Sequence, residues 1–198
     1  MLTKRHKILL NELNKISSIL GLDTEKIIAF WDGDNAAITA QLESIKDHVI
    51  RGEIIFQYTY FDFMLNFELS EHFLGRDQGS RTKKVETFEL ILEELPTIKK
   101  YKIIKSYKSI PKNIGNSISD LIKLRNAFAH KIVPPKSKSV FKNRDVFSPE
   151  GLEFFLREMD AIVDFFQPFL NPKIKKLIEQ QRLGSYAQAV TSLRENII

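Results

Sequence analysis

The stretch that decides the fold is residues 116–135, which read NSISDLIKLRNAFAHKIVPP. Its apolar residues recur at three- and four-residue spacing, which is the pattern of an amphipathic helix. Asn116 or Ser117 is a suitable N-cap, and the double proline at 134–135 must end the helix because proline clashes with the preceding turn. The sequence therefore predicts a helix over about 116–132.

The same periodicity extends over most of the chain, while alternating runs typical of β-strands are scarce, so we predict an all-α fold. Glycine and proline place most helix ends, and Ser148-Pro149-Glu150-Gly151 is a start signature for the helix at 152–166. The further helices are expected at about 4–20, 24–31, 36–74, 84–95, 96–105 and 152–166, with a basic loop at 134–147 and a C-terminal helical arm at about 173–198.

Composition favours one globular unit. The chain has 198 residues, 43% of them hydrophobic, which suffices for one substantial core, so we predict a single domain over 1–198. The absence of cysteine excludes disulfides, zinc–thiolate sites and a cysteine nucleophile, and it fits a reducing compartment.

No segment is typical of a membrane protein or a secreted one. The richest apolar region, 56–74, is interrupted by polar residues such as Asp62 and Glu68, so it falls short of the roughly 20 apolar residues of a membrane span. The apolar run at 8–10 is too short for a signal peptide. We therefore expect a cytoplasmic protein with no membrane partner.

The aromatic residues between Phe56 and Phe73 are spaced as in a helix. Such residues could form a platform for base stacking, but at this spacing they are more typical of a core. We predict a core role for this set, which comprises Phe56, Tyr58, Tyr60, Phe61, Phe63, Phe67 and Phe73.

Basic residues slightly outnumber acidic ones, 30 to 25, for a formal charge of +5. This excess is a weak indication of a polyanionic partner. Two lysine-rich groups could attract phosphate, although solvated surface is the commoner role of such residues. The first contains Lys99, Lys100, Lys102, Lys105, Lys108 and Lys112, and the second contains Lys131, Lys136, Lys138, Lys142 and Arg144.

Arg125 occupies an unusual position in the predicted helix. On a wheel of about 100° per residue it falls near the middle of an apolar stripe, which consists of Ile118, Leu121, Ile122, Phe128, Ala129 and Ile132. A buried guanidinium needs a partner, so either a carboxylate such as Asp62 or Glu68 reaches it, or the stripe faces a cleft or a second subunit where an anion binds. His130 lies roughly 140° further round and about 7.5 Å along the axis, with Asn126 between them.

The segment 124–130, LRNAFAH, resembles the motif of the HEPN family, in which an arginine and a polar residue, usually Asn or Asp, precede a histidine. The resemblance implies a bundle of four to five main helices with additional short ones, the motif near the end of a late helix, and a symmetric homodimer. It further implies a metal-independent endoribonuclease with Arg125, Asn126 and His130 as catalytic residues.

The chemistry of these residue types agrees with that implication. Cleavage through the 2′-hydroxyl needs a base, a stabiliser of phosphate charge and an acid for the leaving oxygen, and yields 2′,3′-cyclic phosphate ends. Histidine suits the proton transfers, arginine suits the phosphate, and Asn126 could orient either. We expect no metal and no cofactor, and we expect Lys131, Lys136 and Lys138 to bind substrate.

The family resemblance implies roles in toxin–antitoxin and phage-defence systems, so RNA and a cognate antitoxin, of nucleotidyltransferase type or another, are expected partners. Two alternatives compete with this interpretation. One is a HEPN-like module that binds RNA, nucleotide or a partner protein without cutting. The other is an unrelated helical scaffold, in which Arg125 would be paired internally and His130 would face solvent.

Overall fold

The structure is a computed structural model that describes residues 3–21, 35–75, 83–130 and 139–166. These residues are mostly helical and include one two-stranded sheet, so the all-α prediction is confirmed for them. The elements are α1 Lys4–Leu20, α2 Asn35–Leu74, α3 Lys83–Glu94, α4 Thr97–Tyr107, α5 Lys112–His130, β1 Val140–Phe141, β2 Arg144–Asp145 and α6 Pro149–Phe166.

Local sequence explains both ends of α1. The hydroxyl of Thr3 accepts a hydrogen bond from the backbone N–H of His6, and the His6 ring accepts one from the Thr3 N–H, which together form a capping box. Gly21 ends the helix with φ of 67°, in the left-handed region where a residue without a Cβ is favoured. The predicted bounds of this helix are confirmed.

The 40-residue helix α2 is the centre of the fold, and α1, α3, α4, α5 and α6 all pack against it. Phe61, Met64, Leu65 and Leu69 are fully or almost fully buried. The core prediction is wrong for three aromatic residues of this helix, because Phe63, Phe67 and Phe73 are exposed. Since α2 is apolar on several sides, helical spacing alone does not tell which sides its neighbours cover.

The helix α5 begins earlier than predicted, at Lys112, so Asn116 and Ser117 lie inside it and do not cap it. Gly115 continues the helix, since its N–H donates to the Pro111 carbonyl, and a Cβ there would make a tight contact of 3.2 Å with the hydroxyl oxygen of Tyr101 on α4.

A short hairpin precedes α6 and was not predicted. Lys142 and Asn143 form its two-residue loop and both have positive φ, 46° and 64°, which matches the twist of tightly connected antiparallel strands. Phe141 and Val146 anchor the hairpin in the core. Helix α6 begins at Pro149, three residues earlier than predicted. The Ser148 hydroxyl caps it by accepting a hydrogen bond from the Gly151 N–H, in agreement with the predicted start signature.

Several predicted segments lie outside the described residues. These are the helix at 24–31, residues 134–138 of the basic loop with its double proline, and the arm at 173–198. Among the helices that are described, none combines the length and the apolar character needed to cross a membrane.

Candidate functional site

Arg125 lies half-buried at the side of a cleft of about 540 Å³ between α2, α4 and α5. Apolar and polar side chains share the lining. Its apolar part consists of Ile55, Leu95, Pro96, Ile98 and Ile122, and its polar part consists of Tyr58, Thr59, Asp62, Glu93, Thr97, Lys100, Arg125 and Asn126.

The guanidinium of Arg125 is held by an aromatic ring. Its central carbon stands 4.9 Å from the ring centroid of Tyr58 on α2, within the range of a cation–π contact. Its Nη1 also donates a long hydrogen bond, 3.4 Å, to the side-chain oxygen of Asn126. Within the described parts of the chain, no carboxylate lies at ion-pair distance from Arg125.

The two acids considered as partners of Arg125 bind lysines instead. Asp62 accepts hydrogen bonds from the ammonium of Lys100, at 2.7 Å, and from the hydroxyl of Thr97, at 2.6 Å. Glu68 accepts one from Lys108, at 2.7 Å. The alternative in which Asp62 or Glu68 pairs with Arg125 is therefore wrong.

The position of Arg125 on its helix also needs correction. Ile118, Leu121, Leu124 and Phe128 are buried, whereas Ala129, predicted to belong to the same stripe, is exposed. The buried face is thus centred nearer Leu121 and Leu124 than the sequence predicts. Arg125 lies at the flank of this face and lines the cleft, not the middle of the core.

Of the other predicted site residues, Asn126 is the one whose side chain the structure describes. Asn126 is exposed and lines the cleft beside Arg125. His130 is the last residue of α5, but its side chain lies outside the described residues, as do Lys131, Lys136 and Lys138.

The two lysine-rich groups do not form uniform phosphate-attracting surfaces. In the first group, Lys100 is buried and paired with Asp62, and Lys108 is paired with Glu68. In the second group, Lys142 is paired with Glu158 on α6. A surface role fits the remaining described members of the first group, which are exposed: Lys99, Lys102, Lys105 and Lys112.

The opposite half of α5 is anchored by a polar network. The hydroxyl of Ser117 donates to Glu158, at 2.8 Å, and Lys142 donates to the same carboxylate. Burial opposes ionisation of Glu158, but the hydrogen bonds from Lys142 and Ser117 outweigh it and lower its pKa. This network fixes α5 against α6 and so helps to position Arg125.

A larger cleft, of about 950 Å³, lies between α1, α2 and the start of α6. Charges of both signs line it, and Lys46 already pairs with Glu12 at 3.1 Å. Burial raises the pKa of Asp47 in its wall. Because neither Arg125 nor Asn126 lines this cleft, the smaller one is the candidate site.

Tyr58 and Asp62 are cleft residues that sequence reasoning did not assign to the site. Tyr58 was predicted to be a core residue, and Asp62 was considered only as an ion-pair partner. Their spacing of four residues on α2 places both on one helix face, which was the available signal. Which surface that face meets depends on the packing of α4 and α5.

No protein-family model, curated protein or solved structure matches this chain. Among the described residues, no three His, Asp or Glu side chains are grouped as they would be around a metal ion.

Proposed function

We propose that this chain is a metal-independent endoribonuclease of the HEPN type, which cleaves RNA through the 2′-hydroxyl to leave 2′,3′-cyclic phosphate ends. The observation that carries the proposal is Arg125 itself. Its guanidinium lies in an open cleft, rests on Tyr58, and has no carboxylate at ion-pair distance among the described residues. Such a cation is available to an anionic ligand.

The division of labour follows from residue chemistry. Arg125 would bind the scissile phosphate and stabilise the charge that develops on it in the transition state. His130, five residues later on α5, would move the protons, because the ordinary pKa of histidine is about 6.5. Asn126 is hydrogen-bonded to Arg125 and would orient it.

A symmetric homodimer belongs to the proposal, since one arginine and one histidine provide little redundancy for acid and base roles. An exposed apolar row on α2 supports it. Ile55, Phe63 and Phe67 follow one another at intervals of four or eight residues and are 38%, 57% and 45% exposed, and Ile55 borders the cleft. Burial of such a row in a twofold interface would bring two cleft edges together.

The biological role we propose is that of a toxin or phage-defence effector, held inactive by a cognate antitoxin until RNA cleavage is needed. In the alternative, a non-catalytic helical module, the same cleft would bind RNA, nucleotide or a partner protein without cutting. Arg125 in its cleft fits both functions. His130 distinguishes them, because binding alone needs no proton transfer.

The test is cleavage of a single-stranded RNA by purified protein in the presence of a chelator. We expect cyclic phosphate ends with the wild type, and at least about a hundredfold slower cleavage after His130→Ala or Arg125→Ala. Expression in a bacterium should slow growth and degrade RNA with the wild type only.

His48→Ala and Arg157→Ala are matched controls, since both residues are described and neither lines the cleft. They should cleave as the wild type does. Equal cleavage by all five proteins would overturn the proposal, and a monomeric mass in solution would remove its dimeric part. Binding of RNA without cleavage would favour the non-catalytic alternative.

A further inference from the structure

The cleft beside Arg125 has the mixed surface of a site for a planar heterocycle. Ile55, Ile98 and Ile122 contribute apolar side chains, and Ile55 and Ile98 are 38% and 41% exposed. Its volume of about 540 Å³ falls within the range of roughly 300–1,000 Å³ of small-ligand pockets. Apolar walls of this kind hold a ring by its faces and leave recognition to its edge.

Asp62 is the polar group best placed to read that edge. Its side chain is 27% exposed, whereas that of its partner Lys100 is 2% exposed. Thr97 and Lys100 each donate to one carboxylate oxygen, and a carboxylate has about four acceptor positions. Two donors therefore hold the carboxylate in place, and this cleft-lining group retains acceptor capacity.

An acceptor pair of this kind selects among the nucleobases. Guanine alone presents two adjacent donors, N1–H and the N2 amino group, on its Watson–Crick edge. The other bases place an acceptor next to each donor on that edge, which would face a carboxylate oxygen with a repulsive lone pair.

We infer that this cleft is a guanine subsite, in which the carboxylate of Asp62 accepts hydrogen bonds from N1–H and N2–H while Arg125 binds the attached phosphate. The inference rests on the proposed function and names the substrate it prefers, which is single-stranded RNA at guanosine. An unpaired base is required, since a duplex engages the Watson–Crick edge.

The direct test is calorimetric titration of the protein with guanosine, adenosine, cytidine and uridine monophosphates. We expect guanosine monophosphate to bind at least about tenfold more tightly than the other three, as expected from hydrogen bonds to a charged group. Asp62→Asn should remove this preference because the amide replaces one acceptor with a donor.

Ile98→Trp provides a second variant that leaves the Asp62–Lys100 pair intact. Ile98 is 41% exposed, so the larger side chain can be accommodated at the cleft without entering the core. It should weaken binding of guanosine monophosphate at least about tenfold by filling the cleft. Ile8→Trp is the matched control, an isoleucine on α1 that is 52% exposed and lines the other cleft.

Sequencing the ends of cleaved random RNA separates this inference from the function on which it rests. Cleavage without preference for guanosine, unchanged by Ile98→Trp, would overturn the subsite and leave the ribonuclease intact. Preferential binding of guanosine monophosphate without cleavage would keep the subsite and overturn the ribonuclease. Equal binding of all four nucleotides, or binding of none of them, would also overturn the subsite.

Discussion

Two acid–lysine pairs join α2 to the region of α4, and they differ in which partner is presented to the outside. Asp62 binds Lys100 and Glu68 binds Lys108, both at 2.7 Å. In the first pair the carboxylate is 27% exposed and the lysine 2%, whereas in the second the carboxylate is 16% exposed and the lysine 28%. One pair offers an acceptor to a cleft, and the other offers a cation.

The surroundings of the two pairs explain the difference. Lys108 lies over the rings of Phe165 and Phe166, at 5.3 and 5.4 Å from their centroids, so aromatic faces supplement its carboxylate. Asp62 instead has a second hydrogen-bond donor, Thr97, and lies beside the cleft of Arg125. The Glu68–Lys108 contact therefore serves packing, whereas the Asp62–Lys100 contact leaves the carboxylate of Asp62 accessible from the cleft.

The largest expected effect is on stability, after removal of each acid. Asp62→Ala leaves the ammonium of Lys100 buried without its charge partner, and should lower the free energy of unfolding by about 3–5 kcal/mol. Glu68→Ala leaves Lys108 partly solvated and still in contact with aromatic rings, so the loss should be about 1 kcal/mol. Urea unfolding followed by circular dichroism measures both.

The double variant Asp62→Leu with Lys100→Met is the control for this comparison. Replacing both members of a buried pair removes the isolated charge, so most of the stability lost in Asp62→Ala should return. Equal losses for Asp62→Ala and Glu68→Ala would show that the burial of Lys100 does not distinguish the two pairs.

The parts of the fold that sequence predicted well are those decided by a few neighbouring residues. Gly21 ends α1, and Ser148 caps α6, because each acts on the backbone of its own turn. The start of α5 was mispredicted because Asn116 and Ser117 suit a cap, whereas the Gly115 N–H donates to the Pro111 carbonyl and places both residues inside the helix. The hairpin was missed because its loop, Lys142 and Asn143, lacks the glycine that usually marks such turns.

The residues of the candidate site also divide into those that local sequence predicts and those that depend on helix packing. Arg125 and Asn126 were predicted as site residues because they belong to a motif on one helix, and both line the cleft. Tyr58 and Asp62 were not assigned to the site, since their roles depend on which lysine and which arginine the packed helices bring to them. An aromatic helix with apolar residues on several sides gives no periodic signal for the face that stays open, as the exposure of Phe63 illustrates.

The next effect concerns the aromatic partner of each cation. Tyr58→Leu removes the ring beneath Arg125 and should slow the proposed RNA cleavage about tenfold, the rate equivalent of a cation–π contact of about 1.4 kcal/mol. Tyr58→Phe keeps the ring face and should cleave nearly as the wild type. Steady-state kinetics on a defined RNA measures kcat/KM for each variant.

Phe165→Leu is the corresponding change beside Lys108, and it should leave cleavage unaltered because it lies away from the cleft. A loss with Phe165→Leu as large as that with Tyr58→Leu would mean that general packing sets the rate. A loss with Tyr58→Phe would assign a role to the hydroxyl instead of the ring.

The smallest effect is a change of stability in alkaline solution, to which Tyr107 beside the Glu68 pair contributes. Burial, together with the negative charge of Glu68, raises the pKa of Tyr107 to about 12, and the phenolic oxygen is buried without a hydrogen-bond partner among the described residues. The folded state then holds its proton where the unfolded state, with an ordinary pKa of about 10, releases it. Stability should therefore fall as pH rises from about 10 to 12.

Tyr107→Phe should make that fall shallower, and Glu68→Gln should shift the phenol's absorbance titration to lower pH, because it removes the charge that disfavours the phenolate. Asp62→Asn should leave this titration unchanged, since burial and Glu68 are the causes of the shift and the cleft pair is not among them. An equal shift of the Tyr107 titration by Asp62→Asn and by Glu68→Gln would show that the two pairs form one electrostatic unit. The distinction between the Glu68–Lys108 pair, which serves packing, and the Asp62–Lys100 pair, which leaves a carboxylate accessible, would then fail.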